Sequence, residues 1–433
     1  MLNMRSSSIS EFGGRGEEMK KMLSVTAVLL VVFGMIVSVH ATTWLKEDVG
    51  NAPGNVKAIM IGDPDNDGDN EIVSGDAAKQ IIVYKKVADT WGQLVVISDA
   101  GATIMDLEIG DADNDVKNEI VVVTGEGDAR VLVLNGSGNS WTMHVIDSIM
   151  AGYGTTITIG DADNDGENEI VVGTTDSDLY LYEGSGDSWT KRVLSTDLEG
   201  KILGIAIGDA DNDDNNEIIA GSYGKNLYMF YGAGSSWTNV TLGSDLGWPV
   251  RDVAIGDADN DGENEIVVGA GHYSGYGYSS GGAAYLYKFI SGAWYKYNMG
   301  STGSDYYIDR IGVHDIDDDG DKEVVAGWGS GFYYRYGRVK LGNGSYDHWD
   351  WTEVTYTICG TQDATRFCVR DLDGDNLMDM VFAETGRQYI RVIHEEDLPE
   401  IPEFPNILSL LIVLCLITIP IVLKKNARSI RSA

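Results

Sequence analysis

Four carboxylates stand at offsets 0, 2, 4 and 8 of the segment IGDADNDGENEIVVG, which runs from Ile159 to Gly173 and recurs unchanged from Ile255 to Gly269. In the first copy they are Asp161, Asp163, Asp165 and Glu169, and Gly166 at offset 5 lets the chain turn back sharply with φ > 0. Alternate side chains around such a turn direct their oxygens to one centre. Ca²⁺ is a hard cation that takes oxygen ligands, six to eight of them at roughly 2.3–2.6 Å, so the chemistry this spacing serves is calcium coordination.

Looser copies fill most of the chain. The first Asp of each is Asp63, Asp111, Asp161, Asp209, Asp257, Asp315 and Asp371, at spacings of 48, 50, 48, 48, 58 and 56 residues. The remaining carboxylates keep register: Asp65, Asp67 and Glu71; Asp113, Asp115 and Glu119; Asp211, Asp213 and Glu217; Asp259, Asp261 and Glu265; Asp317, Asp319 and Glu323; Asp373, Asp375 and Asp379. Gly68, Gly166, Gly262 and Gly320 fill offset 5, but the second, fourth and seventh copies have Val116, Asp214 and Asn376. Asp and Asn tolerate a left-handed backbone, whereas a β-branched residue adopts it at a cost, so the second loop is expected to be the weakest or most distorted site. EF-hands need an acidic ligand at offset 11 and helical flanks. Offset 11 here holds Ser74, Val122, Val172, Ala220, Val268, Ala326 and Phe382, and the flanks read as strands, which excludes the hands.

The elements that must position these loops are short. ITIGD leads into a loop, EIVVG leaves it, the alternating Leu179-Tyr180-Leu181-Tyr182 follows, then GSGDSWTKRVL. Apolar and β-branched runs separated by Gly, Asp and Ser predict four strands per repeat and no helix. A tryptophan precedes each first Asp, at Trp44, Trp91, Trp141, Trp189, Trp237, Trp294 and Trp351. A four-stranded unit every 40 to 50 residues is a propeller blade. The last repeat never reaches its own Trp strand, whereas Trp44 is a Trp strand with no repeat before it. The expected fold is all-β, a seven-bladed β-propeller whose N-terminal strand completes blade seven and leaves no unpaired edge.

The pattern D-x-D-x-D-G-x-x-E followed by an apolar strand resembles the FG-GAP/VCBS repeat family, the calcium-bearing propeller of integrin α-subunits and many microbial surface proteins. The resemblance covers roughly residues 42 to 396. It implies that side chains at offsets 0, 2, 4 and 8 hold the ion together with the backbone carbonyl at offset 6. Those carbonyls belong to Asp69, Lys117, Glu167, Asn215, Glu263, Asp321 and Leu377. Up to seven Ca²⁺ ions are then expected.

The ends read as targeting segments. Lys20 and Lys21 precede the apolar run Met22 to Val39, and Val39-His40-Ala41 fits a cleavage site, so residues 1–41 are expected to be a signal peptide region, with a retained anchor as the alternative. The propeller is expected over 42–398 and a linker over 399–406. Ile407 to Leu423 form a short apolar span, and residues 424–433 carry Lys424, Lys425, Arg428 and Arg431, which fits a membrane anchor with a basic cytoplasmic tail. Pro402-Glu403-Phe404-Pro405 with that run resembles the PEF-type C-terminal sorting signals of archaeal surface proteins, which implies a tail that is cut and replaced by an anchor. Either way the domain is expected outside the cell.

The formal charge of −36, from 67 acidic and 31 basic residues, argues against a nucleic-acid partner. With 43% hydrophobic residues the chain has far more core-forming material than a disordered one. No Ser-His-Asp order, G-x-S-x-G elbow, H-E-x-x-H or phosphate loop is present, so no enzyme activity is expected. A surface-coat component or an extracellular polysaccharide lyase are the alternatives to a non-catalytic adhesion or ligand-binding module. His144, His272, His348 and His394 belong to no motif. Cys359 and Cys368 flank the entry to the last repeat, where a disulfide is permitted outside the cell. A ligand, extracellular protein or carbohydrate, is expected on an aromatic patch on the face away from the acidic loops: Trp248, Tyr273, Tyr276 and Tyr278 with Trp328, Tyr333 and Tyr334.

Overall fold

The computed structural model describes residues 43–148, 152–272, 281–303, 306–316, 320–330, 338–345, 348–353, 366–375, 377–384 and 388–396. These residues form seven four-stranded sheets, and six of them are consecutive in the chain. Sheet one is Val56–Gly62, Glu71–Asp76, Ile81–Val87 and Thr90–Ile97, and sheets two to six repeat that order. Sheet seven takes Arg366–Arg370, Asp379–Glu384 and Tyr389–Glu396 from the end of the described chain, and its fourth strand is Thr43–Asn51 from the start. Trp44–Glu395 is one compact unit. No helix among the described residues is long and apolar enough to cross a membrane.

Each acidic loop joins the first strand of its sheet to the second, and Gly62↔Glu71 or Gly160↔Glu169 is the last pair before the turn. The second strands read as unbroken apolar runs because they are buried on both faces. In Glu119–Thr124, Ile120 and Val122 pack with Val73, Ile81 and Val83 of sheet one, while Val121 and Val123 pack with Ile157, Ile170 and Val172 of sheet three. Odd and even positions thus serve two different neighbours. An equivalent cluster joins Val381, Ile390 and Val392 of sheet seven to Ile59, Ile61 and Ile72 of sheet one. The fourth strands are largely exposed. In sheets two to four the tryptophan pairs with a glycine of the third strand: Gly136 faces Trp141, and a Cβ on that glycine would come within 2.2 Å of the indole. Trp141, Trp189 and Trp237 each donate Nε1–H to the carbonyl of the hairpin glycine three residues earlier, at 2.9–3.1 Å. In sheets two to four the tryptophan is therefore a lock on the outer hairpin.

The first strands carry polar residues that reach one another across long chain separations. Arg310 of sheet six sends a guanidinium nitrogen to Asp106 Oδ1 of sheet two at 2.9 Å and another to 3.7 Å from Asp252 Oδ1 of sheet five. Asp106 and Asp252 are buried, and Asp252 Oδ2 also accepts from the Ile311 backbone N–H at 2.9 Å. Burial raises the Asp252 carboxyl to about 6, against the opposing pull of Arg310.

Two expectations are corrected. Trp328 is not a surface aromatic: the second strand of sheet six runs on through Ser330, and Trp328, 9% exposed, continues the inward alternation and packs against Trp351 with ring centroids 6.2 Å apart. Cys368 is a free, buried thiol in a first strand, pushed up to about 11 by burial; Cys359 lies outside the described residues.

Candidate metal centres in the acidic loops

The loops are built from their own backbone. In loops one to five the offset-0 aspartate accepts from the N–H groups at offsets 4 and 5, at 3.0–3.1 Å, which folds the turn round one carboxylate. The offset-4 aspartate accepts from the N–H at offset 6 at 2.9–3.1 Å, so Asp69, Lys117, Glu167, Asn215 and Glu263 are each held by their backbone. Leu377 is held in the same way by Asp375, at 2.8 Å. The offset-8 glutamate gives one oxygen to the N–H at offset 1, at 2.8–3.0 Å in loops two to six. Loop one has Pro64 at that place, with no N–H to offer, and Glu71 Oε2 is left buried and unpartnered.

What remains points inward. Oδ1 of the offset-2 aspartate is buried without a hydrogen-bond partner at Asp65, Asp113, Asp163 and Asp211. The other oxygen of Asp163 accepts from Gly234 N–H at 3.0 Å, so the side chain is held in place by the next sheet. In the triads Asp63-Asp65-Glu71, Asp111-Asp113-Asp115, Asp161-Asp163-Glu169, Asp209-Asp211-Glu217 and Asp373-Asp379-His394, one ligand atom per residue lies within 4.8 Å of the others. A buried carboxylate oxygen without a donor is costly unless a cation meets it, so the donor set in loops two, three and four fits a hard divalent ion. Glu119, Glu169 and Glu217 are raised to about 7, first by burial and then by the neighbouring aspartates. Asp257, Asp315 and Asp371 begin the remaining loops, and Asp321 and Glu323 follow Asp315 in the sixth. Asp317, Asp319 and Asn376 lie outside the described residues.

Val116 takes φ 74° and is 91% exposed, as its place at offset 5 demands, and Asp214 takes φ 68°. Replacing Val116 with Gly removes a β-branched side chain from the left-handed region. The expected gain in unfolding free energy is about 1 kcal/mol, after the greater chain entropy of glycine is allowed for. Urea melts of the metal-free protein measure it, and a V116G midpoint at or below wild type contradicts the strain.

Three sets of residues at these loops were not anticipated. The first is an asparagine belt. The offset-3 amide of each of loops one to five bonds both the N–H and the C=O of the offset-7 residue in the next loop, at 2.6–3.2 Å: Asn66 to Asn118, Asn114 to Asn168, Asn164 to Asn216, Asn212 to Asn264 and Asn260 to Lys322. The offset-7 amide answers by donating to the offset-0 carbonyl of the preceding loop, as Asn118 does to Asp63 and Asn70 to Asp371, at 2.9 and 2.7 Å. The signal was legible, since the same amide recurs at the same offset. The second set lies on the third strand beside the offset-8 residue: Lys85, Asn135 and Lys288 each reach a loop glutamate there. The third is His394, set aside as motif-free, whose Nδ1 lies 2.7 Å from Asp379 Oδ1 and is held above its usual pKa chiefly by that bond.

Of the aromatic patch, Trp248 is half-buried over Gly281, where a Cβ would come within 2.6 Å of the indole. Tyr273, Tyr276, Tyr278, Tyr333 and Tyr334 lie outside the described residues.

The fold is that of a β-propeller. It is similar to solved structures of BBS1N in complex with ARL6DN. The mercury-soaked one has 12% identity over 82% of this chain and 98% of that chain, with a TM-score of 0.55. The lead-soaked one has 11% identity over 82% and 96%, with a TM-score of 0.56. Residues 161–220, loop three through the second strand of sheet four, match the FG-GAP-like repeat family. Curated proteins gave no match.

Proposed function

We propose that this protein is a calcium-stabilised propeller of seven blades, closed by its first strand, that acts outside the cell as a non-catalytic ligand-binding or adhesion module. The observation that carries the metal assignment is the buried, unpartnered Oδ1 at one offset of successive loops, Asp113, Asp163 and Asp211. Bound calcium would supply positive charge and fixed geometry to these turns. The chain's own residues order the turn and exclude water from its inner side. The apolar runs at 22–39 and 407–423 support export and anchoring. The FG-GAP-like match and the propeller fold support a role in binding a partner.

The described residues place a cleft of about 650 Å³ beside loop four, lined among others by Asp211, Asp213, Asn215, Tyr231, Phe289 and Trp294. Tyr231 is 41% exposed, and Phe289 and Trp294 lie with centroids 5.2 Å apart. Aromatic faces beside carboxylates and amides suit a carbohydrate or a polar protein segment. Such a lining supports a ligand site on the side of the acidic loops. An array of glycans and cell-surface proteins, probed with and without calcium, identifies the ligand class. Replacing Tyr231 and Trp294 with Ala should then weaken the captured interaction by about 2 kcal/mol, roughly thirtyfold. Unchanged binding in that variant returns the site to the face that carries Trp248.

A further inference from the structure

The seven loops share one acidic pattern, but the fifth already holds a buried cation among its carboxylates. Strand pairing sets Tyr84 opposite Ile72 and Tyr287 opposite Ile266. The next residue along each third strand, Lys85 or Lys288, therefore stands beside the offset-8 glutamate of its own loop. Lys288 is 2% exposed, and its ammonium lies 2.5 Å from Glu265 Oε1, 2.7 Å from Asp261 Oδ2, and 3.1 and 3.3 Å from the two oxygens of Asp259. These are the carboxylates at offsets 2, 4 and 8. Loops one to four each leave an offset-2 oxygen buried without a partner, and loop five leaves none. In loop one the Lys85 ammonium bonds Asp67 and lies 2.7 Å from Glu71 Oε1 and 3.6 Å from Asp65 Oδ2, but Asp65 Oδ1 and Glu71 Oε2 stay buried without a partner, so it does not satisfy that loop as Lys288 satisfies the fifth.

We propose that Lys288 is a covalently tethered cation that takes the divalent ion's position in loop five, so that this loop is ordered without metal. A calcium ion needs its oxygens at roughly 2.3–2.6 Å, and an ammonium already bonded to the same three carboxylates occupies that centre and repels a second positive charge. A buried ammonium in turn requires paired carboxylates, which the loop supplies. In sheet two the same strand position is Asn135, whose neutral amide reaches Glu119 Oε1 at 3.0 Å and leaves Asp113 Oδ1 unpartnered. The acidic motif alone thus overcounts the ions, and the third strand decides which loops are metal sites.

The inference rests on the reading of loops two to four as cation sites, and the test separates the two. Native mass spectrometry of the whole protein at saturating calcium counts bound ions. Lys288→Ala is expected to bind one ion more than wild type. A Lys288→Ala chain that does not fold without calcium should regain its wild-type melt when calcium is added. Asp259→Asn on the wild-type background does not depend on that folding: it should leave the count unchanged, whereas Asp211→Asn should remove one ion. A nonzero wild-type count that Lys288→Ala leaves unchanged, or that Asp259→Asn lowers, overturns the lysine assignment alone. A wild-type count of zero overturns both readings.

Discussion

Chelating divalent cations should lower the unfolding temperature of this protein sharply, and more so at pH 8 than at pH 5. An ion that binds only the folded state stabilises it by about 2.7 kcal/mol per site at a hundredfold excess over Kd, so three loops of the kind formed by Asp113, Asp163 and Asp211 would together dominate the stability. The pH dependence follows from the glutamates at offset 8. In the metal-free fold Glu119, Glu169 and Glu217 are raised to about 7 from an ordinary value of 4.5. The folded state then holds their protons more tightly than the unfolded state. Their stabilising contribution is fully present below pH 4.5 and is lost as pH rises through about 7. With calcium bound, the carboxylates are kept ionised and the trend reverses, because protons compete with the metal at low pH. Melts at both pH values, with EDTA and with excess calcium, test the crossing. Equal melting with and without EDTA at pH 8 would falsify the calcium reading.

Replacing Arg310 with Met should cost about 3 kcal/mol or more, in spite of the residue's distance from every acidic loop. Its guanidinium is the shared partner of Asp106 and Asp252, which come from two other sheets and are both buried. Removing one member of a buried ionic cluster leaves the others uncompensated, at about 3–5 kcal/mol, whereas removing all of them is close to neutral. The triple variant R310M/D106N/D252N should therefore recover most of what R310M loses. Chemical unfolding at constant calcium distinguishes these outcomes, and a triple variant no more stable than R310M would show that the loss came from packing of the arginine stem.

The sheets and loops were legible because both signals are local. The Asp series and the strand runs repeat within a few residues, and the structure joins four such strands per sheet. What lay beyond reach was pairing over long separations. Arg310 and Asp106 are 204 residues apart and share no motif. Lys85 follows Glu71 by 14 residues, but Lys288 follows Glu265 by 23, because the connection in sheet five is longer. The two lysines therefore do not align until the strands are paired. Trp328 was misplaced for a related reason: a Gly-Tyr-rich stretch after the second strand read as loop from its start, while the strand continues through Ser330. His394 and the belt asparagines are different, since their partners were already known positions. His394 belongs to no motif and the asparagines are no ligands in the pattern, yet both hydrogen-bond to the loops themselves.

The asparagine belt has a polarity of its own. Between loops one and two, two and three, three and four, and four and five, each junction carries three amide bonds, from the offset-3 residue forward and the offset-7 residue back. Lys322 brings no amide, so the next junction has the two bonds from Asn260, and Asn70 reaches from loop one to the Asp371 carbonyl. Met378 and Gly374 bring no side-chain amide to loop seven. The belt thus runs unbroken from loop one to loop five, with three bonds at every junction. Strain applied to any loop in that arc is shared with its neighbours in sequence, as in a chain of nearest-neighbour couplings.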